Sequence, residues 1–110
     1  MRVRALLGFA QRAGRVASGY AAVLRAIGKR KAKLVILALD ASPRTRRSVE
    51  EAAASGGVPV VLWGSMAGLG EALGKPDRAV VAVCDDGFAR ALRAALQAGE
   101  AEKGQGDDDE

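Results

Sequence analysis

Gly19-Tyr20-Ala21-Ala22-Val23-Leu24-Arg25 opens a helix amid basic residues, and it follows a helix that stops at Gly14 and the tetrapeptide Arg15-Val16-Ala17-Ser18. A helix start leaves backbone N–H groups without intrahelical partners, and its dipole favours negative charge. Cations around such a start suit it to phosphates. Beyond that helix, Gly28-Lys29-Arg30-Lys31-Ala32-Lys33 leads into the apolar run Leu34-Val35-Ile36-Leu37-Ala38, and Asp40-Ala41-Ser42-Pro43-Arg44 follows it. Nothing else in the chain offers comparable chemistry.

The other chemistry-bearing residues are sparse. Histidine is absent, which removes the commonest general base and metal ligand. Cys84 is the single cysteine, so no intramolecular disulfide and no cysteine-based zinc site can form. Asp40, Asp85 and Asp86 follow apolar runs, where carboxylates cap helices or make turns far more often than they catalyse. Gly68-x-Gly70-x-x-x-Gly74 only loosely resembles a dinucleotide loop, because the required third glycine falls on Leu73. Ser48-x-x-Glu51 has capping-box spacing but lies inside a helix. No enzyme, no cofactor and no metal site is expected.

Composition points the same way. The 110-residue chain has 17 bases and 13 acids, a net charge of +4. Residues 100–110 hold six of those acids and one of the bases, which leaves +9 on residues 1–99. A body this basic favours a polyanionic partner, nucleic acid above all. Residues 1–98 read as one domain, and the acidic, glycine-rich 99–110 as a disordered tail. That tail is either a solubilising extension or an internal RNA mimic for the basic edge. No apolar run approaches the roughly 18 residues of a membrane span. The Met-Arg-Val-Arg start is followed by Gly8, Gln11 and Arg12, a poor signal peptide. A cytoplasmic location and no membrane partner are therefore expected.

Apolar periodicity predicts the elements that position these groups. Leu6, Leu7, Ala10 and Ala13 predict a helix over 4–13, and 16–18 a short strand. Tyr20, Val23/Leu24 and Ile27 predict a helix with Arg25 and Lys29 towards solvent. Residues 33–39 read as a buried strand, too uniformly apolar for a surface helix. Ser42 and Pro43 predict the N-cap and first position of a helix stopping at Gly56-Gly57. A strand over 58–63, a glycine-weakened helix over 65–73, a strand over 79–84 and a helix over 86–98 complete the chain. Trp63 reads as core or a strand-end contact, and Cys84 as a small buried apolar residue. The short link between helix 20–28 and strand 33–39 makes the two antiparallel, so Gly19 and Asp40–Ser42 share one end of the domain, beside Arg44.

Several segments in register resemble the kink-turn RNA-binding family of ribosomal proteins, the L-seven-Ae and L-thirty-e superfamily, and its small bacterial YlxQ-type members most of all. They are Leu7-Gly8-Phe9-Ala10-Gln11-Arg12-Ala13-Gly14-Arg15 with Ser18-Gly19, and Lys31 to Ala38 with Asp40-Ala41-Ser42-Pro43. Val58-Pro59-Val60, Leu69-Gly70-Glu71-Ala72-Leu73-Gly74 and Ala79 to Val83 follow, so the resemblance spans about residues 5–96. It implies a three-layer α/β/α sandwich around a mixed four-stranded sheet, within the α/β class. It also implies binding of structured RNA, ribosomal RNA first among the candidates, by three segments. These are Gly19, Tyr20, Ala21 and Ala22 with Arg25; Asp40, Ala41, Ser42 and Arg44 with Lys33 nearby; and the loop from Gly74 to Ala79, with Lys75 and Arg78.

The chain departs from the family at its reading head. The best-known members carry Gly-x-Asn-Glu at this helix start, where Asn and Glu read tandem G·A pairs; here Ala21 and Ala22 stand in those places. Alanine cannot hydrogen-bond a base edge through its side chain. Lys75-Pro76-Asp77-Arg78 is polar where the family loop is often apolar. Phosphate contacts position and base contacts specify, so the residues imply RNA binding with weakened or altered kink-turn selectivity. Tyr20 could stack on a base or pack one turn before Leu24. The run Lys29–Lys33 could grip phosphates or simply solvate a helix end. A protein-interaction module of the same fold, stripped of base readout, is the alternative that Ala21 and Ala22 keep open.

Overall fold

The computed structural model describes residues 3–99. The chain order is α1 (Val3–Arg12), β1 (Val16–Ser18), α2 (Tyr20–Gly28), β2 (Leu34–Leu37), α3 (Pro43–Gly56), β3 (Val60–Leu62), α4 (Met66–Leu73), β4 (Val80–Val83) and α5 (Asp86–Gln97). Every expected element is present, with strands shorter at their ends than the apolar runs. The tail from residue 100 lies outside the described residues.

The four strands form one mixed sheet in the order β1-β4-β2-β3, with β4 antiparallel to both β1 and β2 and β3 parallel to β2. The two central strands, β2 and β4, are buried at every position. Their side chains alternate between two cores. Leu34, Ile36, Val81 and Val83 pack with Leu7, Leu69 and Leu92 beneath α1, α4 and α5. Val35, Leu37, Val80 and Ala82 pack with Val23, Ile27, Val49 and Ala53 beneath α2 and α3. This is the three-layer α/β/α sandwich, and it explains why both runs are apolar at consecutive positions rather than at alternate ones. Pro59, lacking an N–H, sits just before the edge strand β3, where its carbonyl still accepts from the Val35 N–H at 2.9 Å.

Caps set the helix boundaries. The Ser42 hydroxyl accepts from the Thr45 N–H at 3.1 Å, with Pro43 as the first helical residue of α3. The Ser65 hydroxyl accepts from the Gly68 N–H at 2.9 Å, and the Asp85 carboxylate from the Phe88 N–H at 2.9 Å. Asp85 is thus a cap, as its place after a strand suggested. Trp63 belongs to the core, 2% exposed. Cys84 is half-buried at the end of β4, where burial raises its thiol pKa above the ordinary value while nearby Lys31 and Lys33 pull it down.

Gly70 holds the last loop in place. The chain turns back on α4 so closely that the Lys75 N–H donates to the Gly70 carbonyl at 2.8 Å. A Cβ at Gly70 would overlap the Pro76 and Lys75 carbonyls, both of them backbone. The glycine that weakens α4 locally is what lets the loop 74–79 lie against it. Gly70→Ala is expected to destabilise the domain by about 2 kcal/mol, as overpacking does; urea denaturation measures it.

Candidate nucleic-acid interface

The helices α2, α3 and α4 start at one end of the sheet. The Gly19 N–H donates to the Val80 carbonyl at 2.9 Å, and Val80 pairs with Leu37 across β4 and β2. The Ala38 N–H donates to the Ala79 carbonyl at 2.9 Å. The start of α2, the end of β2 and the start of β4 are therefore neighbours, and α3 and α4 begin in the loops that leave β2 and β3 there. The antiparallel relation of α2 and β2 inferred from the short connection holds. The position of the loop 74–79, which the sequence did not place, follows from β4 entering the sheet at this end.

Of the starts of α2, α3, α4 and α5, only that of α2 lacks a side-chain cap. Its N-cap is Gly19, with φ 95° and ψ 159°, backbone angles that glycine alone adopts readily. Having no side chain, Gly19 leaves the first-turn N–H groups free for a ligand. Ala21 is exposed and Ala22 half-buried, so small side chains keep the approach open. Two bonds brace this start. Tyr20 Oη and Ser48 Oγ are 2.6 Å apart, which ties α2 to α3. The Arg78 guanidinium donates to Ser18 Oγ at 3.2 Å and to the carbonyls of Pro76 and Asp77 at 3.3 and 3.0 Å.

Between these braces lies an open depression of about 510 Å³ lined by residues 18–22, Arg25 and Asp77 to Ala79. Of the expected site residues, the structure brings Gly19, Tyr20, Ala21, Ala22, Arg25 and Arg78 together here. Ala41, Ser42 and Arg44 sit at the same end, at the start of α3, and Lys75 is exposed in the adjoining loop. Asp77 is the one carboxylate of the lining.

Several expectations change. Lys33 is not near Asp40: its N–H donates to the Val83 carbonyl at 2.8 Å, at the opposite end of the sheet, because β2 runs its whole length between the two. Asp40, among the expected RNA contacts, caps a helix, as its place after an apolar run suggested, and the helix is α4: its carboxylate accepts from the Met66 N–H at 2.8 Å across 26 residues of sequence. Ser42 is likewise spent on its own helix, and Arg78 braces the loop with its guanidinium. Tyr20 is 46% exposed, on the rim. Leu39, read as the end of a buried strand, stands 57% exposed one residue past Ala38. It offers an apolar surface at this end; the signal available in sequence was its position against Asp40, where the strand gives way to a turn.

The chain thus has the fold of the small α/β/α domains found in ribosomal-type RNA-binding proteins, with an open helix start at the loop end of its sheet. Residues 1–93 match the Ribosomal protein L7Ae/L30e/S12e/Gadd45 family, and the chain belongs to it. It is 45% identical over 87 residues to the RNA-binding protein YlxQ of Bacillus subtilis strain 168, covering 79% of this chain and 87% of that one. Identity to the RNA-binding protein YlxQ of Enterococcus faecium is 34% over 92 residues, 84% of this chain and 88% of the relative. Among solved structures, a Bacillus halodurans protein of unknown function superposes with a TM-score of 0.83 at 36% identity, covering 86% of this chain and 96% of that one. A Giardia lamblia 15.5kD RNA binding protein gives 0.73 at 25% identity, covering 90% and 83%. The two YlxQ relatives and the Giardia lamblia protein are named as RNA-binding, and the ribosomal-type family is non-enzymatic.

Asp40→Ala is expected to lower stability by about 1 kcal/mol through loss of the α4 cap, while Asp40→Asn, which can still accept, loses less. Thermal denaturation of the pair separates this structural role from a role in ligand contact.

Proposed function

We propose that this protein is a bacterial, cytoplasmic RNA-binding protein of the translation machinery that grips structured RNA at the start of α2. The observation that carries the reading is the uncapped helix start: free N–H groups at the positive end of α2, with Arg25 one turn further on. The relatives named as RNA-binding proteins support it. Phosphates meet the backbone amides and Arg25, with Arg44 and Lys75 on the flanks. Tyr20 and Leu39 offer surface on which an unstacked base can rest. With alanine at 21 and 22, contact at the helix start comes through backbone and shape, so a kink-turn is bound with little preference over other folded RNA.

Titration of a kink-turn hairpin and a plain duplex of equal length tests this. Log affinity is expected to fall linearly with log salt for both, with a slope set by the phosphates contacted. Arg25→Glu weakens both by about tenfold or more. Ala21→Asn combined with Ala22→Glu restores preference for the kink-turn by roughly tenfold, each base-edge pair contributing on the order of 1 kcal/mol or more. A flat salt profile, or full affinity in Arg25→Glu, removes the proposed site.

A further inference from the structure

The far end of the sheet carries a second set of cations that the α2 start does not use. There the Cys84 N–H donates to the Arg15 carbonyl at 2.8 Å, and the Lys33 N–H to the Val83 carbonyl at 2.8 Å. Arg15, β4's end and Lys33 thus lie side by side across three strands. Lys31 stands two residues before Lys33 in the same short connection into β2, close enough to Cys84, whose thiol pKa burial raises, that both lysines pull it down. Arg15, Lys29, Arg30, Lys31 and Lys33 are all exposed, and none forms an ion pair with another described residue. Residues 1–39 contain no Asp or Glu. Of the nearby carboxylates, Asp85 caps α5, and Asp86 shares an open groove of about 1040 Å³ with Arg30 and Lys33, bounding the basic surface on that side.

A helix C-terminus attracts cations, but that attraction fades within the last turn. It covers Lys29, and also Arg15 and Lys31, whose N–H groups close the ends of α1 and α2 on the Ala10 and Ala26 carbonyls at 2.9 Å each, but it does not account for Lys33 or for the meeting of all four at one place. Arg30 adds an independent sign. The Lys31 N–H donates to the Ala26 carbonyl at 2.9 Å and the Arg30 N–H to the Ile27 carbonyl at 3.0 Å, the two bonds of a Schellman closure. Its left-handed residue is ordinarily glycine, yet Arg30 holds φ 60° and is the one non-glycine residue with positive φ among those described. Here the left-handed position carries an exposed charged side chain where glycine would relieve the strain, which points to a role for the side chain.

The α2 helix links the two ends. Ala21, Arg25 and Lys29 are exposed at four-residue intervals, one row along its outer surface. At about 1.5 Å per residue the helix is only ~14 Å long, so one RNA can touch both ends. The exposed large apolar residues among those described, Phe9, Tyr20 and Leu39, lie elsewhere. Protein partners are held by buried aromatic or apolar anchors, whereas duplex RNA is recognised through shape and backbone. The far end offers charge without an exposed anchor.

We infer that Arg15, Arg30, Lys31 and Lys33 form a second phosphate-binding surface, which takes the double-helical stem extending along α2 from the RNA held at its start. This rests on the RNA-binding reading above. The test uses the full chain, one kink-turn hairpin with its stem trimmed short, and the same hairpin with the stem extended. Lys31→Glu with Lys33→Glu, or the milder pair of glutamines, should leave circular dichroism unchanged. The glutamate pair should weaken the extended hairpin by about tenfold, lower its salt slope by roughly one to two units, and spare the trimmed one. Arg30→Gly should raise the melting midpoint by roughly 4 °C while weakening the extended hairpin several-fold. Equal effects on both hairpins, no effect on either, or equal competition by poly-glutamate overturns the second surface alone. Failure of the unmodified protein to bind either hairpin overturns the RNA-binding reading and this one with it.

Discussion

The structure depends on two strands that have no polar face. Because β2 and β4 are apolar at consecutive positions, each must be covered on both sides, and the covering helices supply two separate cores. Short connections then return each helix antiparallel to the strand beside it. The consequence is directional: α2, α3 and α4 all start where β2 and β3 end. An end rich in helix starts is electropositive before any side chain is counted. Burial, which carries no information about ligands, has nonetheless chosen where an anion can sit.

What separates that end into structure and site is capping. Ser42, Ser65 and Asp40 satisfy the starts of α3 and α4, so those amides are no longer available to a ligand. Gly19 contributes no such group, and its backbone angles exclude most replacements that could. Asp40 caps a helix, as its place after an apolar run suggested, but the N–H it engages is that of Met66, 26 residues on. Arg78 is similar: a cation at the rim, it holds the loop 74–79 against β1 by three hydrogen bonds to Ser18 and the loop's own carbonyls.

Two groups of cations stand at opposite ends of the sheet. Arg25 and Arg44 accompany the helix starts, while Arg15, Arg30, Lys31 and Lys33 gather where β4 ends. Read along the chain, Lys33 and Asp40 bracket the same short apolar run and look like parts of one site. An extended strand advances about 3.3 Å per residue, so bracketing a strand puts two residues at opposite ends of the domain. Neighbours along the sequence become distant in space, whereas Ser18 and Arg78, 60 residues apart, are hydrogen-bonded.

The sequence by itself determined the layers. Runs of apolar residues without alternation, serine and proline at a helix start, and glycine at helix ends are local signals, and each element they announce is present. The uncapped helix start proposed as the RNA site was also legible, because Gly19, the two alanines and Arg25 lie within one stretch of chain. The assignment of polar side chains was not. Whether Asp40 is free, whether Arg78 braces or binds, whether Leu39 is buried, and which end of the sheet Lys33 occupies all depend on what arrives from distant segments. Those outcomes are set by strand order and register, which no local pattern encodes, and so they were decided only when the four strands had been placed side by side.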